Sequence, residues 1–345
     1  PALAYLAAQL HERDHTSAAT IITVPTESDA RALHFDLLQH LPPRSLEGDL
    51  PTPEVLLVPA LELSPYSEMS SDRVALRQRM AALFHLANPP AAGLLLILSA
   101  RSLLRRVIPK KELLALCDEI EVLKEIDRDL LTEALVAAGY NRVTIVEEPG
   151  HFAVRGGVVD LFPPAYRFPV RIELFGDEVE SIRHFDTENQ RTLRTLSSVR
   201  IHPVRESVCT RGSRLRDRLL EAGDRAAHPS KATRHLIDSI QSGVEFVGIE
   251  NLIPAFHESL VPLASYLPSG PEVRHLVFEP EAVMQRAEDE LEDAQRRYED
   301  QLEGHRIAFA PDEHYLESAQ IREFITQSHH RIDCQVLQIE GSPQA

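Results

Sequence analysis

Hydrophobic positions recur along the chain with two different periods. Up to about residue 117, helical and extended patterns alternate. Leu3, Leu6 and Leu10 stand at helical spacing within 2–12, and the β-branched run Ala19-Thr20-Ile21-Ile22-Thr23-Val24 then reads as a strand. Ser28 or a neighbour caps a helix through about 40, and Glu54-Val55-Leu56-Leu57-Val58 predicts a second strand. A helix over 71–87 places Leu76, Met80, Leu83, Phe84 and Ala87 on one face, and Leu94 to Leu98 is a third strand. Strands separated by helices of this length imply a parallel sheet covered on both faces.

Between about 118 and 203 the texture changes. After a helix around 129–138, stopped by Gly139, short β-like runs cover 142–146, 152–155, 158–162, 170–175 and 179–185. Turn signals such as Glu148-Pro149-Gly150, Pro163-Pro164 and Gly176-Asp177 separate them, which predicts an antiparallel sheet and hence an inserted α+β module. From 204 to 345 the chain is mixed, with helices over 214–221 and 232–241 and with loops and short strands over 244–261. A long helix over 281–303 carries Met284, Ala287, Leu291, Ala294, Tyr298 and Leu302 in a narrow stripe. That stripe fits a helix lying on a domain surface, with a coiled-coil partner as the alternative. The fold class is therefore α/β over 1–117, an α+β module over 118–203, and a mixed third part over 204–345.

Charge narrows the function classes. The chain has 36 Lys+Arg against 53 Asp+Glu, a net −17, which opposes bulk attraction to nucleic-acid phosphates or anionic membranes. Cys117, Cys209 and Cys334 stand alone, offering neither a disulfide framework nor a zinc knuckle, and this suits a reducing, cytoplasmic compartment. The run Ala91 to Leu98 is far short of the roughly 20 residues of a membrane helix. Pro1 replaces an initiator Met, so the chain reads as a piece of a longer protein.

Two candidate chemistries compete with a binding role. His11-Glu12-Arg13-Asp14-His15 matches H-E-x-x-H, in which two His one helical turn apart hold zinc beside a Glu base. The helix ends there and no third ligand follows at a familiar interval, so solvated His at a helix C-terminus is the favoured reading and a zinc metallopeptidase the lesser one. The first region also looks like a helicase-type (RecA-like) domain. A phosphate-cradling loop needs Gly-Lys-Ser/Thr, yet no Gly in this chain precedes a Lys, which leaves a degenerate domain without nucleotide chemistry. No cofactor or metal is expected, and no catalysis by this chain.

The segment 151–200 is different in kind. It holds seven Arg, seven acidic residues and no Lys. Arg155 ends Phe152-Ala153-Val154-Arg155, and Arg171 lies in Val170-Arg171-Ile172-Glu173-Leu174-Phe175. Arg beside an aromatic on a rigid sheet has the composition of a protein-binding hot spot, and internal Arg–Glu pairs on a solvated strand face are the bland alternative.

His151 to Pro163, followed by Val170 to Arg183 and Phe185-Asp186, closely resembles the module shared by the excision-repair protein UvrB and the transcription-repair coupling factors (Mfd). Leu63-Ser64-Pro65-Tyr66-Ser67, Asn189-Gln190-Arg191-Thr192-Leu193, Gly243-Val244-Glu245-Phe246 and Leu263-Ala264-Ser265-Tyr266-Leu267-Pro268 favour the coupling factors over UvrB. The resemblance implies an N-terminal region that recruits UvrA to lesion-stalled transcription complexes. RNA polymerase, double-stranded DNA and ATP would be engaged by domains absent from this chain. It maps the UvrA contacts onto Arg155, Arg171 and Phe175, and it places Ala153 where UvrB-like sequences have a further Arg. It further implies that a C-terminal domain of longer members masks this surface. A UvrB-like ATP-dependent repair protein is the alternative.

Overall fold

The computed structural model describes residues 4–335 other than 6, 10–18, 42–54, 62, 70, 90–93, 209–213, 245, 269–272 and 329. The H-E-x-x-H sequence at 11–15 and Cys209 lie outside the described residues. In chain order, β1 (Ala19–Val24), α1 (Glu27–His40), β2 (Val55–Val58), α2 (Arg73–Ala87), β3 (Leu94–Ser99), α3 (Ala100–Leu104) and α4 (Lys110–Ala115) come first. Next are β4 (Asp118–Glu121), α5 (Arg128–Ala137), β5 (Asn141–Arg142), β6 (His151–Arg155), β7 (Val158–Leu161), β8 (Val170–Phe175), β9 (Glu178–Phe185), β10 (Thr192–Leu196) and β11 (Ser198–Ile201). Then follow α6 (Leu215–Arg225), α7 (Ser230–Gln241), α8 (Ile253–Phe256), β12 (Val273–Phe278), α9 (Pro280–Glu303), α10 (Pro311–His314), α11 (Ser318–Thr326) and β13 (His330–Cys334).

The first sheet is parallel throughout, in the order β13-β12-β1-β3-β2. Every residue of β1 and β3 is buried, as a sheet covered on both faces requires. Period-2 alternation divides their side chains between two cores. Ile21, Leu94, Leu96 and Leu98 join one, while Ile22, Leu95 and Ile97 join the other with Leu33 and Leu37 of α1. Helix starts carry their own punctuation. Thr26 and Asp29 form a reciprocal capping box on α1, and Ser99 turns the end of β3 directly into α3 by accepting from Ser102 N.

Chain from beyond residue 204 returns to this first sheet, because β12 pairs with β1 and β13 extends the edge. The apolar stripe of α9 is used internally. Val283, Ala287 and Ala294 are buried, with Met284, Leu291 and Tyr298 packed against the same core as Leu96. Within 244–261 the expected short strands are instead helical turns at Ile249–Leu252 and α8, and Val261 makes only an isolated bridge to Val107.

The second sheet runs β10-β9-β8-β7-β6-β5, antiparallel except for the β5–β6 pair. One expected strand is shortened. Of 142–146 only Arg142 pairs in the ladder, and Val146 turns inward against Ala153, Phe162 and Phe185. A separate two-stranded ribbon pairs β4 with β11. Its β4 buries only Ile120 among four residues, too little apolar surface to announce a strand by alternation.

The segment just after the module is held to the first part of the chain by a buried network. Arg79 of α2 donates from Nε to Glu206 Oε1 at 2.9 Å and from Nη1 to Pro59 O at 3.2 Å. Glu206 Oε2 accepts from Ile108 N at 2.9 Å. His257 donates from Nε2 to the Glu206 carbonyl at 2.7 Å, and its Nδ1 lies 2.7 Å from Glu112 Oε2.

Candidate partner-binding face

The face is set by hairpin chemistry and alternation. Gly156 (φ +60°) and Gly176 (φ +65°) turn the β6–β7 and β8–β9 hairpins in the left-handed region that a Cβ disfavours. Gly157 is needed for a different reason. A Cβ there would lie 2.7 Å from Leu174 O, where β8 passes close enough for Leu174 N to donate to Gly157 O at 2.8 Å. On the inner side, Phe152, Val159, Leu161, Val170, Ile172 and Ile182 pack with Leu131 and Leu135 of α5. On the opposite side, Ala153, Asp160, Arg171 and Arg183 stand directly across from one another on four successive strands.

Arg155 shares the face of Ala153 at i+2, and Arg171, Glu173 and Phe175 succeed one another at every second position of β8. The bulge in the β8–β9 pair inserts its extra residue on β9, so β8 keeps its alternation to the tip. The structure therefore brings Arg155, Arg171 and Phe175 onto one face. Their environments differ sharply. Phe175 is 81% exposed, and the side chains of Arg155 and Arg171 are 53% and 19% exposed.

Sequence reasoning missed the residue at the centre. Asp160 is 2% exposed and receives both guanidinium groups. Arg155 Nη2 donates to Asp160 Oδ2, Arg171 Nε to Oδ1 at 2.6 Å, and Arg171 Nη2 to Oδ2 at 2.9 Å. Arg171 Nη2 also donates to Gln190 Oε1 at 2.9 Å, and its guanidinium lies 4.5 Å from the centroid of the buried Phe185 ring. The Asp160 hydrogen bonds hold the Arg171 pKa above its ordinary value. A single acid inside the apolar run Val158-Val159-Asp160-Leu161-Phe162 was the available signal, since a buried carboxylate requires a cationic partner.

The neighbouring row repeats the arrangement at the surface. Arg183 pairs with Glu173, which also accepts from Ser181 Oγ at 3.0 Å; the guanidinium holds the Glu173 carboxyl below the usual carboxylate range. Gln190 sits in the left-handed region (φ +60°), in a turn where Asp186 Oδ1 accepts from Glu188 N at 2.8 Å and Asn189 N at 3.1 Å. Ala153 is buried against Val146, Phe162 and Phe185 in a small apolar cluster.

Burial keeps Cys117 from being an activated thiol. Arg200 does supply a positive neighbour, yet burial outweighs it and pushes the thiol up to about 11. Among the described residues no group of three or more His, Cys, Asp or Glu could hold a metal ion, and no helix is long and apolar enough to cross a membrane.

A family model described as the UvrB interaction domain matches residues 119–206, from β4 to the Glu206 that pairs with Arg79. The chain is 39% identical over 246 residues to the transcription-repair-coupling factor of Myxococcus xanthus, covering 70% of the chain and 20% of that protein. It is 30% identical over 299 residues to that of Haemophilus influenzae, covering 86% and 25%. With that of Escherichia coli the figures are 28% over 272 residues, 78% and 22%. The chain belongs to the transcription-repair coupling factor family. It spans about a fifth to a quarter of the length of these relatives. Within this coupling-factor region, the face carrying Arg155, Asp160, Arg171 and Phe175 lies inside the matched domain.

Proposed function

We propose that this coupling-factor region is a protein-binding platform that recruits UvrA to lesion-stalled transcription complexes, and that it has no catalysis of its own. The observation that carries the reading is the exposed Phe175 standing on the same rigid strand as Arg171, beside the half-exposed Arg155. An aromatic side chain left almost wholly in water gains from burial in a partner's pocket, and guanidinium groups held on a sheet pair carboxylates at little entropic cost. Arg155, Arg171 and Phe175 are the proposed UvrA contacts. The parallel-sheet part, a degenerate helicase-like domain in this reading, holds the module without nucleotide chemistry. RNA polymerase, double-stranded DNA and ATP are assigned to other segments of longer family members.

Calorimetric titration of the chain with purified UvrA tests this. Combined Arg155→Ala and Arg171→Ala is expected to weaken binding by at least about 2 kcal/mol, roughly thirty-fold, with cooperative thermal unfolding retained. Equal affinity for the parent and the double variant overturns the assignment.

A further inference from the structure

Resting on the UvrA reading, we infer that the two arginines have unequal roles, and that Asp160 and Gln190 are positioning residues that fix the recognition face before a partner arrives. A guanidinium has five N–H donors. Arg171 commits Nε to Asp160 and both hydrogens of Nη2 to Asp160 and Gln190, and its plane rests on Phe185. Only Nη1 is left uncommitted. Arg155 commits one N–H, to Asp160, and keeps the rest of its fork. Arg155 is thus the arm that grips a partner carboxylate. Arg171 is a strut that locks Asp160 in place and keeps only the two N–H of Nη1.

The anchor of the arrangement is the buried carboxylate. Arg171 bonds both of its oxygens and Arg155 adds a second donor to one of them, so Arg171 cannot swing away without stranding charge inside the sheet face. Gln190 closes the far side. Its backbone N donates to Asp186 O at 2.9 Å and its Nε2 to Thr187 O at 3.0 Å, so the side-chain oxygen is aimed at Arg171 by the turn itself. A side chain pre-set in this way loses little freedom on binding, which converts contact into affinity.

The test titrates UvrA against the 345-residue chain carrying Asp160→Asn, Gln190→Ala, or the combined Arg155→Ala and Arg171→Ala. NMR observation of the arginine Nε–Hε groups accompanies the titrations. Asp160→Asn is expected to lower affinity at least ten-fold and to expose the Arg171 Nε–H to rapid solvent exchange, while amide signals of the inner face stay in place. Gln190→Ala is expected to lower affinity a few-fold. If the arginine pair matters and both Asp160→Asn and Gln190→Ala bind like the parent, the positioning role is overturned while the UvrA reading stands. If the arginine pair itself binds like the parent, the UvrA reading fails first. Should Asp160→Asn not fold, Gln190→Ala in its surface turn decides alone, and parental affinity with an unchanged Arg171 signal overturns the inference.

Discussion

Arg79 and Arg155 each pair with a carboxylate that the fold buries, yet only one of the two arrangements is closed. Arg79 and Glu206 are 1% and 5% exposed, and Pro59 O and Ile108 N occupy further hydrogen-bonding positions of the pair. Around Asp160 the acid is just as buried, but Arg155 stands half in water with most of its donors unspent. Burying a charge costs several kcal/mol unless it is paired and hydrogen-bonded, so a closed pair serves structure. An open pair, anchored by its buried half, leaves an oriented cation at the surface, which is what recognition of a carboxylate needs.

The largest expected effect breaks the closed pair. Arg79→Ala strands Glu206 beside the His257 contact and should destabilise the chain by about 3–5 kcal/mol, seen as a lower urea midpoint, whereas Arg155→Ala should cost under about 1 kcal/mol. Similar losses for both would erase the distinction.

Acid sharpens the same contrast at the junction. His202 lies under Phe84, ring centroids 4.6 Å apart, with Ala165 N donating to its Nε2 at 3.1 Å, and burial lowers its pKa to about 4. Burial likewise lowers His85 to about 4. In the unfolded chain both titrate near the ordinary 6.5, so between about pH 6.5 and 4 the unfolded state binds more protons and folding stability falls as pH falls. At pH 5 each should cost roughly 2 kcal/mol relative to pH 7.5. Urea midpoints at the two pH values measure this, and His202→Gln should reduce the difference.

The smallest effect on stability is expected at the face. Phe175→Ala removes a side chain that is 81% exposed and should leave the thermal midpoint within the spread of ordinary surface variants, about 0.5 kcal/mol, while weakening UvrA binding about ten-fold. A large drop in stability would mean that Phe175 belongs to the core rather than to the interface.

Alternation and punctuation made much of this legible beforehand. The buried strands β1 and β3, helix α1 and the hairpin turned by Gly176 follow from local sequence, because burial period and turn conformation are properties of a few adjacent residues. Arg155, Arg171 and Phe175 were marked as a group by the resemblance to the coupling factors, local composition alone leaving a solvated strand face as the alternative. Local sequence could not reveal β12, whose place beside β1 is set by contacts across some 250 residues of sequence, nor β13 on the outer edge of β12, nor β4, whose single buried Ile120 gives alternation nothing to register.

What the sequence by itself determined is the alphabet of elements, the relationship to the coupling factors and the identity of three face residues. Only the tertiary structure decided how their donors are spent. Hydrogen bonds depend on which side chains meet across strands, and register placed Asp160 opposite Arg171 and within reach of Arg155, while a turn twenty residues further on supplied Gln190. That register turned two similar arginines into an arm and a strut.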